Sequence, residues 1–231
     1  VDLMNQYLSE MTNILMGGSG TLDKYIGDAI VGMFGAPLNS EGHAYNAVAA
    51  SIAMQKRQAE LREKWKAEGS WPDIVHQMQT RIGLNTGNAV IGQMGSTKQM
   101  NFTMMGDNVN LAARCESGGK SYGVHIMITE QTRDAAIKTK DDIAYRYLDR
   151  IIVKGRTQPV KVYEVIDFQE NLSHEQNECL RLFSEGTQKY LDQKFGEAIE
   201  SFEQSAGFEK WQPGRDIGID TNPSLVMLER C

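Results

Sequence analysis

Cysteine is scarce in this chain: three among 231 residues, Cys115, Cys179 and Cys231, scattered and odd in number. They spell neither a disulfide framework nor a zinc site, and they fit a reducing compartment. Histidine is equally thin. His43, His76, His125 and His174 are dispersed and form no ligand pattern. No apolar run approaches the roughly 20 residues that cross a bilayer. Residues 1–16 already read as an amphipathic helix, so no signal peptide is expected at the start. Positive charge is in deficit, with 24 Lys and Arg against 30 Asp and Glu, a formal charge of −6 and a pI near 5.3. A broad surface for nucleic acid or anionic lipid is therefore not expected. What remains is ordinary globular composition, 41% hydrophobic and 23% charged. That suits one large domain, or one domain with a small annex. Many of the 22 glycines sit inside apolar, strand-like runs, where glycine marks close backbone approach.

Leu3, Tyr7, Leu8, Met11, Ile14 and Leu15 recur at helical spacing until GGSG (17–20) stops them. TLDKYI and AIVGMFG follow, separated by Gly27-Asp28, which predicts a β-hairpin with a two-residue turn. Ala36-Pro37 ends the second strand. Residues 41–66 are Ala-rich and read as a long helix. MQTRIGLNTG and NAVIGQMG read as two strands meeting at Thr86-Gly87-Asn88, a second hairpin. GSTKQ (95–99) reads as a polar loop and MNFTMMGD as a short strand ending at Gly106-Asp107. Residues 108–117 are helical by pattern, VHIMIT is a strand, and EQTRDAAIK is a helix capped by Thr129. YRYLDRIIV and PVKVYEVI close the region as strands joined by KGRTQ. Hairpins interleaved with covering helices predict an α+β fold on an antiparallel or mixed sheet.

After Phe168 the strands stop. Gly186, Tyr190, Ala198, Phe202 and Ala206 fall on two predicted helices joined near residues 193–196, a spacing that resembles one tetratricopeptide-type helix pair. A generic helical extension explains the pattern equally well. A lone pair must cover its apolar face on the first domain, on a partner or on further repeats. The division expected is residues 1–168 and 169–231, with a short helix from Ser224.

Two segments carry the chemistry. GTLDKYIGDAIVGMFGAP puts Asp28 in the hairpin turn and Lys24 four residues earlier, an even offset in a strand and so one face. Aspartate favours such turns for structural reasons alone, and a metal ligand is the less common reading. NFTMMGDNVNLAARCE runs from a strand through Gly106-Asp107 into a helix on which Asn110 and Arg114 stand at i, i+4, one face. An amide and a guanidinium so placed can grip a ribose and a phosphate chain. On spacing alone, an exposed polar helix face accounts for them as well. Met78, Met94, Met100, Met104 and Met105 read as core or interface filling.

Taken together, the stretches GTLDKYIGDAIVGMFGAP, HAYNAVAASIAMQ, RIGLNTGNAVIGQMGS, NFTMMGDNVNLAAR and VKGRTQPVKVYEV resemble the catalytic domain of class III adenylyl/guanylyl cyclases, in that family's order and spacing, over residues 1–167. The resemblance implies a ferredoxin-like α+β core acting as a head-to-tail homodimer, with two ATP sites built across the interface. It assigns Asp28 to the metals (two Mg²⁺ or Mn²⁺ per site), Lys24 and Thr103 to the purine, Asn110 to the ribose and Arg114 to the reacting phosphate. Lys154, in VKGR, matches a lysine near the phosphates, a place Arg156 could also take. Adenine offers an acceptor at N1 and a donor at N6; an ammonium and a hydroxyl oxygen complement it, whereas guanine reverses the pattern. The expected substrate is ATP, the product cyclic AMP, the location cytoplasmic.

One part of the family pattern is not matched. The resemblance implies a strand before the first helix, carrying a second metal-binding aspartate. Asp2 does not fit that motif and reads as a favourable first-turn charge. The expectation is a longer polypeptide with that strand and a sensory or regulatory domain upstream. The competing expectation is a cyclase-like dimerising module that has lost catalysis. A diguanylate cyclase is excluded, because GGSG precedes the hairpin rather than forming a GG(D/E)EF turn.

Overall fold

The structure, a computed structural model, describes residues 1–152, 159–209 and 221–231. Helix α1 (Asp2–Gly17) buries Tyr7, Met11, Thr12 and Leu15, the stripe its spacing predicts. Strands β1 (Gly20–Ile26) and β2 (Ala29–Phe34) pair antiparallel around Gly27-Asp28. Gly27 holds φ +63°, where a β-carbon is costly. Leu15 seats α1 on this hairpin: a β-carbon at Gly20 or Gly32 would come within 2.7–2.8 Å of its side chain. Helix α2 (His43–Ala67) crosses behind and joins α1 in a cluster of Tyr7, Met11, Leu61 and Trp65.

The second hairpin differs from the expectation. Strand β3 (Ile82–Leu84) is only three residues and runs parallel to β6 (Ile126–Thr129). The hairpin forms instead between β4 (Val90–Ser96) and β5 (Gln99–Met105), and its turn is Thr97-Lys98 inside the expected loop. The Ser96 hydroxyl accepts from the backbone N–H of Lys98 and Gln99, so a side chain closes the turn. Thr86-Gly87-Asn88 reads like a turn because it is one in composition, but the chain there is leaving the sheet.

Helix α3 (Asp107–Tyr122) follows β5 directly, and α4 (Glu130–Thr139) follows β6. Strands β7 (Ile143–Ile151) and β8 (Val160–Phe168) complete a mixed four-stranded sheet of order β3-β6-β8-β7. Alternate residues face opposite ways. Ile126, Ile128, Tyr163 and Val165 pack with Val48 and Ile52 of α2 and Ala136 of α4. Met127, Val162 and Leu148 pack with Leu111 and Cys115 of α3 on the other face. The hairpins β1-β2 and β4-β5 form two further sheets, each hydrogen-bonded within itself. The α+β class holds.

Helices α5 (His174–Leu191), α6 (Phe195–Phe208) and α7 (Pro223–Arg230) form the C-terminal part. Of the three coverings open to the helix pair, the sheet is the one observed. Arg146 on β7 is buried, with its guanidinium 2.6 Å from the carboxylate of Glu164 on β8 and 2.6 Å from that of Glu209 at the end of α6. It also stacks 4.9 Å from the Phe183 ring of α5. Glu209 in turn accepts from the Ser224 N–H at the start of α7. Two buried carboxylates thus face one guanidinium, and the Ser224 N–H adds a donor to the second of them. No described helix is long and apolar enough to cross a membrane.

Candidate active site

Strand β1 carries the first part of the site. Its pairing with β2 slips between Leu22 and Lys24, so Asp23 is the extra residue of a β-bulge. A bulge breaks the alternation of side chains and re-aims them. Here it turns Asp23 toward β5. Asp23 is 2% exposed at its side chain, its Oδ2 accepts from the Thr103 hydroxyl at 2.9 Å, and the Lys24 ammonium lies 3.7 Å from the same oxygen. Lys24 and Thr103, separated by 79 positions in sequence, therefore converge on one carboxylate. The Lys24 side chain is 44% exposed, so its charge remains available to solvent or ligand. Thr103 is buried. From Lys24 to the turn the register is unbroken, and Asp28 ends exposed at the tip.

Helix α3 carries the second part. Its start is fixed by a polar cluster rather than by a capping side chain. The Asn85 amide donates to the backbone carbonyl and side-chain oxygen of Asn108, and the Asn108 amide donates to the Asn88 carbonyl. Thr129 donates to the Asn85 oxygen, which corrects the expected helix cap: Thr129 occupies the N-cap position of α4 but its hydroxyl serves Asn85 instead. Gly83 and Gly87 allow the approach. A β-carbon at Gly83 would lie 2.2 Å from the Ala112 carbonyl and the Glu116 N–H of α3, and one at Gly87 would lie 2.5 Å from the Asn108 side chain. Thus α3 rests on backbone, and its exposed Asn110 and half-buried Arg114 follow one turn apart beyond Gly106.

Nothing in the sequence pattern singles out Asp23, Asn85 or Asn108. All three tie elements together through single hydrogen-bonding side chains, and residues of that kind carry no spacing signal. The bulge at Asp23 hides it further, because regular alternation would turn it away from Lys24. Lys154 and Arg156 lie outside the described residues. Among the described residues no group of three or more His, Cys, Asp or Glu side chains could hold a metal ion. An exposed Asp28 carboxylate offers one hard oxygen donor, fewer than a two-metal centre needs.

The buried thiols take no part in this site. Burial pushes Cys115 up to about 12 and Cys179 up to about 11, so both stay protonated and inert near neutral pH.

Comparison with known proteins bears on the same segments. Residues 1–167 match the family described as adenylate and guanylate cyclase catalytic domain. The terminal-differentiation-specific adenylate cyclase of Dictyostelium discoideum is 31% identical over the whole chain, which covers 10% of that protein. Adenylate cyclase of Anabaena cylindrica is 31% identical over 70% of the chain and 31% of its own length. The chain thus spans a third or less of these curated relatives. Among solved structures, the adenylyl cyclase CyaB from P. aeruginosa superposes with a TM-score of 0.63 at 36% identity, over 74% of this chain and 84% of that one. The guanylyl cyclase Cya2 superposes at 0.61 and 32% identity, over 75% and 84%. Neighbours named for both nucleotides share the fold, so the fold does not choose the purine. The chain belongs to the adenylate and guanylate cyclase catalytic domain family.

Proposed function

We propose that this chain is the catalytic domain of an adenylyl cyclase, converting ATP to 3′,5′-cyclic AMP and pyrophosphate. The observation that carries the reading is the convergence of Lys24 and Thr103 on Asp23. An ammonium suits adenine N1, and a hydroxyl oxygen suits the N6 amine; guanine presents N1–H and a carbonyl oxygen instead. In the reaction the ribose 3′-oxygen forms a bond to the α-phosphorus as the bond to pyrophosphate breaks, and the hydroxyl proton is lost. Asn110 orients the ribose for in-line approach. Arg114 stabilises the charge that develops on the phosphate oxygens. Divalent ions, Mg²⁺ or Mn²⁺, would neutralise phosphate charge there, with Asp28 as one ligand and the remaining carboxylate expected from a strand preceding α1.

Each site in this reading takes Asp28 from one chain and Lys24, Thr103, Asn110 and Arg114 from its partner in a head-to-tail homodimer. Exposed Val90, Met100, Phe102 and Met105 on the β4-β5 hairpin, next to α3, support burial against a second copy. The same reading places the protein in signal transduction in the cytoplasm, with a sensory domain upstream. It keeps residues 169–231 as a separate unit of tetratricopeptide type. The close seat of Gly186 against the Phe202 ring, 2.8 Å from a β-carbon built there, supports that last point.

The test is turnover of ATP and GTP by the full-length protein. Cyclic AMP should form with a preference of about tenfold or more over cyclic GMP, and Lys24→Glu with Thr103→Cys should weaken it. Equal use of the two nucleotides by the wild type would defeat the reading. A second reading, a silent dimerising module, is favoured by the incomplete metal ligand set among the described residues; it requires dimers that turn over neither nucleotide.

A further inference from the structure

Thr103 faces a choice that its own chemistry does not settle. A hydroxyl is one donor and two acceptors, and its proton rotates to suit its surroundings. Against an adenine N6 amine it must accept. Against a 6-oxo purine it must donate. The structure removes the choice. Asp23 lies under Thr103 with its side chain 2% exposed, and its Oδ2 takes the Thr103 proton at 2.9 Å. A carboxylate can only accept, so the proton is committed inward and the threonine lone pairs are left to face outward. The other carboxylate oxygen, Oδ1, is buried and accepts no hydrogen bond among the described residues, so Asp23 is not held in place by a saturated network of its own. The β-bulge that delivers it is a local departure from regular pairing at this one residue.

We infer that Asp23 is a positioning residue for purine recognition: it fixes the polarity of the Thr103 hydroxyl as an acceptor and anchors the Lys24 ammonium beside it, so that the pair selects a purine with an amino group at C6 and an unprotonated N1. The inference rests on the adenine reading of Lys24 and Thr103. It assigns the selectivity to three residues, of which the third never touches the nucleotide.

A purely structural Asp23, tying β1 to β5, would change stability and leave base selectivity alone. The two roles separate with a nucleotide that differs from ATP only at C6. Purine riboside triphosphate keeps the N1 acceptor and replaces the amine with hydrogen. Affinities for both are measured on the full-length protein by competition against a fluorescent ATP analogue, for wild type, Asp23→Ala, Thr103→Val and the double variant, each checked for cooperative thermal unfolding. Wild type should favour ATP over the 6-hydrogen analogue. Asp23→Ala should shrink that ratio by about fivefold, the size of one hydrogen bond whose geometry is no longer fixed. Thr103→Val should abolish the ratio, and the double variant should match Thr103→Val rather than fall further. If Asp23→Ala does not fold, Asp23→Ser serves, because its shorter side chain stays polar but does not reach Thr103. A wild-type ratio above one that the folded Asp23 variant leaves intact overturns the inference and spares the adenine reading. A wild-type ratio near one overturns both.

Discussion

Tyr122 ends α3 with its hydroxyl donating to Asp149 Oδ2 at 2.6 Å and its ring under the guanidinium of Arg230, 5.6 Å away. Burial first, and the Asp149 carboxylate second, push its hydroxyl up to about 12, from an ordinary value of 10.0. Cys115, fully buried on the inner face of α3, is likewise pushed up to about 12 from 9.0. The folded chain thus holds protons that the unfolded chain has released between about pH 9 and 12. The corresponding stability is complete below pH 9 and is lost as pH rises toward 12, with a slope of up to about 1.4 kcal/mol per pH unit for each such proton. Urea midpoints taken from pH 9 to 11 should fall, and Tyr122→Phe should fall less steeply above pH 10 while starting lower. Parallel slopes would show that Tyr122 does not titrate as its surroundings require. At this scale the sequence was legible where a residue type has one use. Asp28 in a Gly-Asp turn and Asn110 with Arg114 at helical spacing could be found by eye. Asp23 could not, because its role depends on a register slip that no residue type announces. Arg146 could not either. It occupies an outward position of a strand, and only the docking of α5 and α6 makes that position interior.

Elements transmit these residues to the site, and Gly83 shows how narrowly. Its missing side chain lets β3 touch the backbone of α3. Gly83→Ala would force the helix outward, an overpacking that costs about 1–3 kcal/mol. The same shift moves Asn110 and Arg114. We expect the thermal midpoint to drop by several degrees, and turnover by the folded fraction to fall about tenfold or more with little change in nucleotide affinity. Loss of stability with turnover unchanged would show that α3 can move without disturbing the reacting groups. The elements themselves were largely readable, since α1, the β1-β2 hairpin, α2 and the α5–α6 pair follow strong periodicity or turn chemistry. Pairing was less so. The parallel contact of β3 with β6 joins residues 44 apart, and nothing in IGL names its partner. The turn at Thr97-Lys98 was missed because Thr86-Gly87-Asn88 carries the stronger turn composition.

At the scale of the molecule, the C-terminal helices and the cyclase fold share a buried charge cluster, so α5 and α6 are packed onto the sheet rather than tethered beside it. Removing Arg146 alone would take the guanidinium from two buried carboxylates, the situation in which breaking a buried pair costs most. Elsewhere on the surface, Asp28 is exposed at a hairpin tip, and apolar side chains of β4-β5 face solvent. The proposed site shared between two chains would account for both features together. Complementation tests it most directly. Asp28→Asn and Arg114→Ala proteins, each nearly inactive, are mixed in equal amounts at concentrations that favour dimers. Random pairing makes half the dimers mixed, and each mixed dimer holds one intact site of two. Cyclic AMP production should recover to about a quarter of the wild-type rate. If the mixture makes no more cyclic AMP than the separate variants while mixed dimers demonstrably form, the two residues do not serve one site across the interface.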